Sequence, residues 1–121
     1  MNAPTQDELT RKRCRPCEGG IPALARDQAE AIVRNIPGWT LDPDARRITR
    51  SWTVEDFMAG IDFFNKVAAI AEDEDHHPDL HLEGYRKVTI ALSTHAVKGL
   101  SENDFILAAK INQIPVAPHR K

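Results

Sequence analysis

Cysteine is scarce in this chain. Its 121 residues include two, Cys14 and Cys17, in a single C-x-x-C. One such pair cannot staple a fold, and no second Cys or His pair follows at the spacing of a structural zinc site. A thioredoxin-type motif would open a helix after a strand, whereas this one runs into Gly19-Gly20 and Pro22. An ordered loop with reduced thiols is the expectation; shared metal binding or redox sensing is the alternative. Long hydrophobic runs are also missing, since none approaches the roughly 18 residues that span a bilayer. The stretch Met1–Glu8 has no basic-then-apolar signal, and its acids argue against a transit peptide, so a cytoplasmic location is expected. Charge of one sign is absent as well: 16 Lys and Arg against 18 Asp and Glu give a net charge of -2. No basic footprint for nucleic acid results. The local cluster Arg11-Lys12-Arg13-Cys14-Arg15 is expected to be a solvated tail.

What is present is an ordinary one-domain core, 41% hydrophobic, punctuated by turn signals. Residues 1–22 read as an irregular lead-in, residues 23–114 as the domain, and residues 115–121 as a tail. Ala25, Ala29, Ile32, Val33 and Ile36 recur at helical spacing until Pro37-Gly38. Trp39-Thr40-Leu41 and Arg47–Trp52 flank Asp42-Pro43-Asp44, a hairpin signal. Thr53-Val54-Glu55-Asp56 has the form of a capping box. Behind it Phe57, Ile61, Phe64, Ala68 and Ala71 step by three and four, predicting a second helix that ends in Glu72-Asp73-Glu74-Asp75. Leu80 and Leu82, then Val88, Ile90 and Leu92, alternate with polar residues as two strands joined at Gly84-Tyr85-Arg86. Ser101-Glu102-Asn103-Asp104 is a further capping box, opening a helix to about Ile114. The order α-β-β-α-β-β-α predicts an α+β fold: a four-stranded antiparallel sheet with helices packed on one face. Phe105, Ala108 and Ala109 beside the stripe Leu107, Ile111 and Ile114 make the last helix apolar on two faces, which predicts a second copy as partner.

Three of the five histidines fall where two loop edges meet, in Asp75-His76-His77-Pro78 and Ser93-Thr94-His95. Imidazole both gives and takes a proton near neutral pH, so the grouping points to proton transfer or to a metal. Strand alternation sends His95 away from the helices. His76 and His77, extended before Pro78, point opposite ways and take different jobs. Glu72, four residues before His76, is placed to orient its imidazole. Three nitrogens with Asp75 or Asp79 would suit zinc or iron, but adjacent loop histidines are not a standard ligand pair. His81, alternating with leucines, is expected on the solvent face, and His119 in the tail is expected to be inert.

These motifs, with Gly99-Leu100-Ser101-Glu102-Asn103-Asp104, resemble the signature of the pterin-4a-carbinolamine dehydratases, also known as dimerisation cofactors of a homeodomain transcription factor. The resemblance runs from about Leu24 to Ile114. The lead-in Cys14–Gly20 and Asn103–Lys110 look like the longer form of bacteria and plants. It implies loss of water from 4a-hydroxytetrahydrobiopterin to give quinonoid dihydropterin, in recycling the cofactor of an aromatic amino acid hydroxylase. It implies a homodimer or homotetramer with no metal or organic cofactor. By resemblance His76, His77 and His95 are the active-site histidines, with His76 and His95 assigned to proton transfer and His77 to holding the pterin. Asp75, Ser93 and Thr94 would line the pocket, Glu72 and Trp39 would lie near it, and Asp104 also matches, although its capping position already explains it. The connection from His-His-Pro to Ser-Thr-His is a residue longer than in the vertebrate form, which puts a transcription-factor partnership in doubt. Two other classes stand beside the dehydratase: a non-catalytic module binding through Phe105, Leu107 and Ile111, and a metal domain built on the histidines with Cys14 and Cys17. Another pterin, such as a molybdopterin-related compound, would equally suit a ring-recognising pocket.

Overall fold

The structure, a computed structural model, describes residues 3–15 and 22–116. Cys17, the glycines after it, Pro118 and His119 lie outside the described residues. Helices α1 (Gln6–Thr10), α2 (Arg26–Val33), α3 (Phe57–Glu74) and α4 (Glu102–Asn112) accompany strands β1 (Thr40–Leu41), β2 (Ile48–Thr53), β3 (Asp79–Glu83) and β4 (Lys87–Leu92). The sheet is antiparallel in the order β1-β2-β4-β3, with the helices on one face. No described helix is long and apolar enough to cross a membrane.

The two hairpins are where turn chemistry predicts them. At the β1–β2 turn Asp42 Oδ1 accepts the backbone N–H of Arg46 (2.9 Å) and Arg47 (3.1 Å). The pair Glu83↔Lys87 closes β3–β4 around Gly84, Tyr85 and Arg86. Alternation then sorts the strands: Ile48, Val88, Ile90 and Leu92 are fully buried against the helices. On the open face Ser51 and Thr89 meet at 3.1 Å, and His81 is exposed as expected.

Helix α3 corrects two expectations. Its cap is not the Thr53 box, because Thr53 is still paired with Lys87 in the ladder. Asp56 caps instead, accepting from Ala59 N at 2.8 Å. The buried stripe is Gly60, Phe63, Val67, Ala71 and Glu74, largely one residue, or about 100°, round from the predicted one. Phe57 is 49% exposed, and only Ala71 belongs to both. Gly60 is what lets α3 settle: a Cβ there would stand 3.2 Å from the Leu82 side chain.

The termini hold the other corrections. Helix α4 is buried from Asn103 to Ala109 and again at Ile111. A helix apolar all round is a core helix, and its second face is covered from within the chain, by α1 and the fully buried Leu9. Phe105, Leu107 and Ile111 therefore cannot serve as an outside contact surface. The described part of the lead-in, residues 3–15, holds a helix and is docked by its backbone, though its basic side chains are largely exposed. Thr5 and Glu8 form the capping box of α1, and the residues after it dock on α3 and α4. Lys12 reaches Glu102 at 2.7 Å, Arg13 reaches Asp73 at 3.0 Å, and Arg15 N donates to Asn103 Oδ1 at 2.9 Å.

Candidate active site

The site begins with the way α3 stops. Asp75 takes the left-handed conformation (φ 53, ψ 42), which aspartate tolerates better than most residues. His76 N can then donate back to Ala71 O at 3.1 Å. This reversal carries His76 off α3 and onto the first turn of α4. There its Nε2 lies 2.7 Å from Asp104 Oδ1, with the two side chains 5% and 0% exposed.

Asp104 is the hub of a buried polar corner. Its Oδ2 accepts the Thr94 hydroxyl at 2.7 Å and Ser101 N at 3.0 Å. Thr94 Oγ1 also lies 2.7 Å from Ser101 Oγ. Thr94 has one proton and gives it to the carboxylate, so Ser101 donates to Thr94. With the ring nitrogen as donor to the carboxylate, His76 takes its orientation from a group that Thr94 and Ser101 hold in place. Every buried side-chain nitrogen and oxygen among the described residues has a partner.

His77 lies in the opposite environment. Its Nε2 is 2.5 Å from Glu72 Oε2, and the two side chains are 56% and 76% exposed. Glu72 thus serves His77, not His76 as the helical spacing predicts. The turn at Asp75 interrupts the helix, so counting four residues past it misplaces the partner. His95 is exposed on a 3₁₀ turn (His95–Val97), closed beneath by the Thr94↔Gly99 bridge. It borders a cleft of ≈ 230 Å³ that Ser93 also lines, between the β1–β2 turn and the 93–99 loop. The β3–β4 ladder starts at Asp79↔Ala91. His76-His77-Pro78 and Ser93-Thr94-His95 therefore leave the same end of the sheet.

The other expected site residues divide. Thr94 is in the corner, though bonded to Asp104 and Ser101, and Ser93 is half-buried at the cleft. Asp75 is exposed, and its described contribution is the backbone turn. Trp39 is not brought to this cluster. It is buried against Trp52 (6.1 Å, edge-on), and its Nε1 donates to Asn112 Oδ1 at 2.8 Å. Asn112 stands eight positions along α4 from Asp104, about 12 Å by helical rise. Among the described residues no three His, Cys, Asp or Glu side chains converge as a metal site.

One buried carboxylate was not foreseen. Glu74, the residue before the turn, accepts Cys14 N at 2.7 Å and pairs with Lys110 of α4. Burial by itself would raise its pKa; Lys110, the Cys14 N–H and Arg13 outweigh that and hold it below the ordinary carboxylate value. Burial, reinforced by Glu74, pushes the Cys14 thiol up to about 12, so Cys14 is a packing residue at neutral pH. In the sequence Asp104 reads as a cap that also matches the family resemblance, with no sign of its bond to His76. The signal for its second role is that its box follows Ser93-Thr94-His95 after one short loop, Ala96 to Leu100.

Comparison with known proteins places the chain in a family. Residues 22–114 match the family described as Pterin 4 alpha carbinolamine dehydratase. Pterin-4-alpha-carbinolamine dehydratase 2, mitochondrial, of Arabidopsis thaliana is 48% identical over 112 residues, covering 90% of this chain; the chain spans 60% of that protein's length. A putative pterin-4-alpha-carbinolamine dehydratase of Halorhodospira halophila is 46% identical over 106 residues, with 88% of this chain and 96% of the relative covered. The crystal structure of a transcriptional coactivator/pterin dehydratase from Brucella melitensis superposes with a TM-score of 0.70 at 32% identity, covering 75% of this chain and 96% of that one.

Proposed function

The chain belongs to the pterin 4 alpha carbinolamine dehydratase family, and from that membership we propose that it removes water from 4a-hydroxytetrahydrobiopterin by histidine general acid–base catalysis. The product is the quinonoid dihydropterin, so the reaction recycles the pterin released by an aromatic amino acid hydroxylase. The observation that carries the reading is the convergence at one end of the sheet of a buried, carboxylate-oriented His76 and an exposed His95.

The chemistry asks for two proton transfers. The 4a-hydroxyl leaves as water once an acid protonates it, and N5–H gives a proton to a base as the C4a=N5 bond forms. His95 has solvent access and no ring hydrogen bond to any described residue, which suits it to carry a proton in and out. His76 is fixed by Asp104 and offers its small exposed edge at constant orientation. His77, steadied by Glu72, holds the pterin, with Ser93 beside it. Each acid or base contributes about 10²- to 10⁴-fold.

A homo-oligomer is part of the proposal, on a different surface from the one the sequence pointed to. Phe57, Met58 and Leu80 are 49%, 58% and 37% exposed, and β3 is an edge strand.

The test is the absorbance-monitored loss of 4a-hydroxytetrahydrobiopterin with wild type and His95→Ala. The expected result is acceleration over the spontaneous reaction that falls about 10²- to 10⁴-fold in the variant. Folded wild-type protein that gives no acceleration overturns the reading. His77→Ala losing turnover most while binding normally overturns the division of roles.

A further inference from the structure

The cleft beside His95 has a charge composition that dehydration of a neutral pterin does not require. Arg46 and Arg47 line it from the β1–β2 turn and Lys98 from the opposite loop. Several cations elsewhere are matched, Arg11 with Asp7, Lys12 with Glu102, Arg13 with Asp73 and Lys110 with Glu74, while Arg26, Arg34, Lys66 and Lys87 stand singly exposed; only in this cleft do three line one cavity among the described residues. Arg46, Arg47 and Lys98 form no ion pair with any described residue. Two acids share the cleft. Asp42 has its Oδ1 committed to the backbone N–H groups of Arg46 and Arg47. Asp44 is exposed at the tip of the turn and makes no ion pair with the three cations.

The two walls are also in touch. A Cβ at Gly99 would lie 4.0 Å from Arg46 Cγ, so the Arg46 stem rests along the loop that carries His95. Lys98 follows that 3₁₀ turn in the left-handed conformation (φ 54). A volume of ≈ 230 Å³ holds a phosphate with part of its hydration, at roughly 30 Å³ per water. Guanidinium forks match phosphate or carboxylate oxygens in pairs and offer a neutral hydroxyl side chain little.

We infer that this cleft receives an anionic group on the substituent of a pterin, so that the protein takes phosphate- or carboxylate-bearing pterins in preference to, and in addition to, 4a-hydroxytetrahydrobiopterin. The inference rests on the dehydratase reading, with the ring at the histidines and its substituent extending toward Arg46, Arg47 and Lys98. It assigns these three residues to specificity and leaves the proton transfers to the histidines.

Fluorescence titration of the full chain tests it with three probes: dihydroneopterin, its monophosphate, and dihydrofolate, whose glutamyl tail supplies carboxylates. The expected preference of wild type for an anionic probe over dihydroneopterin is about tenfold at low salt, from two or three exposed charge-assisted contacts. It shrinks at high ionic strength because the contacts are open to solvent. Whichever anionic probe binds tighter names the source of the charge. In an Arg46→Ala, Arg47→Ala, Lys98→Ala variant the ratio of anionic to neutral affinity falls toward one. In Asp44→Asn, which only removes an opposing charge from an exposed turn, it rises. Equal binding of all probes by wild type, or a ratio unmoved in both variants, overturns the inference. Dehydration of 4a-hydroxytetrahydrobiopterin is assayed on the same wild-type sample. No acceleration there sinks the dehydratase reading itself, whatever the binding ratio.

Discussion

His76 and His77 are adjacent in the chain and opposite in their surroundings. Each ring lies against a carboxylate, at 2.7 Å from Asp104 and 2.5 Å from Glu72. The first pair is sealed between α3 and α4 and the second faces water. Near-equal distances therefore carry unequal energies. A surface pair is screened and contributes about 0–1 kcal/mol. Removing one partner of a buried pair strands the other and costs about 3–5 kcal/mol. The lesson is that Asp104–His76 fixes geometry, whereas Glu72–His77 and His95 remain free to meet a ligand.

The sharpest way to break that contrast is Asp104→Ala. His76, Thr94 and Ser101 would lose their common acceptor, so a stability loss of about 3–5 kcal/mol is expected in urea unfolding. His95→Ala, by contrast, should stay within about 0.5 kcal/mol of wild type while losing turnover.

Glu74 gives an intermediate case with a pH signature. Glu74→Gln should cost about 1–3 kcal/mol at pH 7, since Lys110 and Cys14 N lose a charged acceptor. Its pKa is lowered in the folded protein, so the unfolded chain takes up the proton first as pH falls. The stabilisation is complete above the ordinary carboxylate pKa of about 4.3 and is lost as pH falls through the lowered folded value. Unfolding curves of wild type and variant should therefore converge as the solution is acidified, and a constant gap would refute the assignment. The smallest effect belongs to Glu72→Gln. A change of about 0–1 kcal/mol that fades with added salt is expected, and a loss as large as that of Asp104→Ala would erase the contrast between the two histidines.

Local signals made much of this legible in the sequence. The hairpin turns and the alternation of Val88, Ile90 and Leu92 read correctly from residues close in the chain. The misses share a physical cause, because each depended on a distant partner. Thr53 has the letters of a cap but is held by Lys87 of the next hairpin. Thr5-Gln6-Asp7-Glu8 has the same letters and is a real cap. It went unread because Leu9 alone shows no periodicity, and a five-residue helix stands by packing on α4. In α3 two apolar stripes compete, and contact with the sheet chose the one containing Gly60. The two apolar faces of α4 were seen, but what covers them was a matter of tertiary contact. Asp104 looked sufficiently explained as a cap until His76 and Thr94 arrived from elsewhere in the chain.

The docked segment Lys12–Arg15 has a consequence for anyone who trims this protein. The stretch that matches the family begins at residue 22, which makes that residue a tempting place to cut. It would strip Leu9 from the interior, Cys14 N from Glu74, and the Arg15 backbone from Asn103, one residue before Asp104. The start of the family match and the start of the packed structure are different places in this chain, and only the second includes the residues that dock beside the histidine corner.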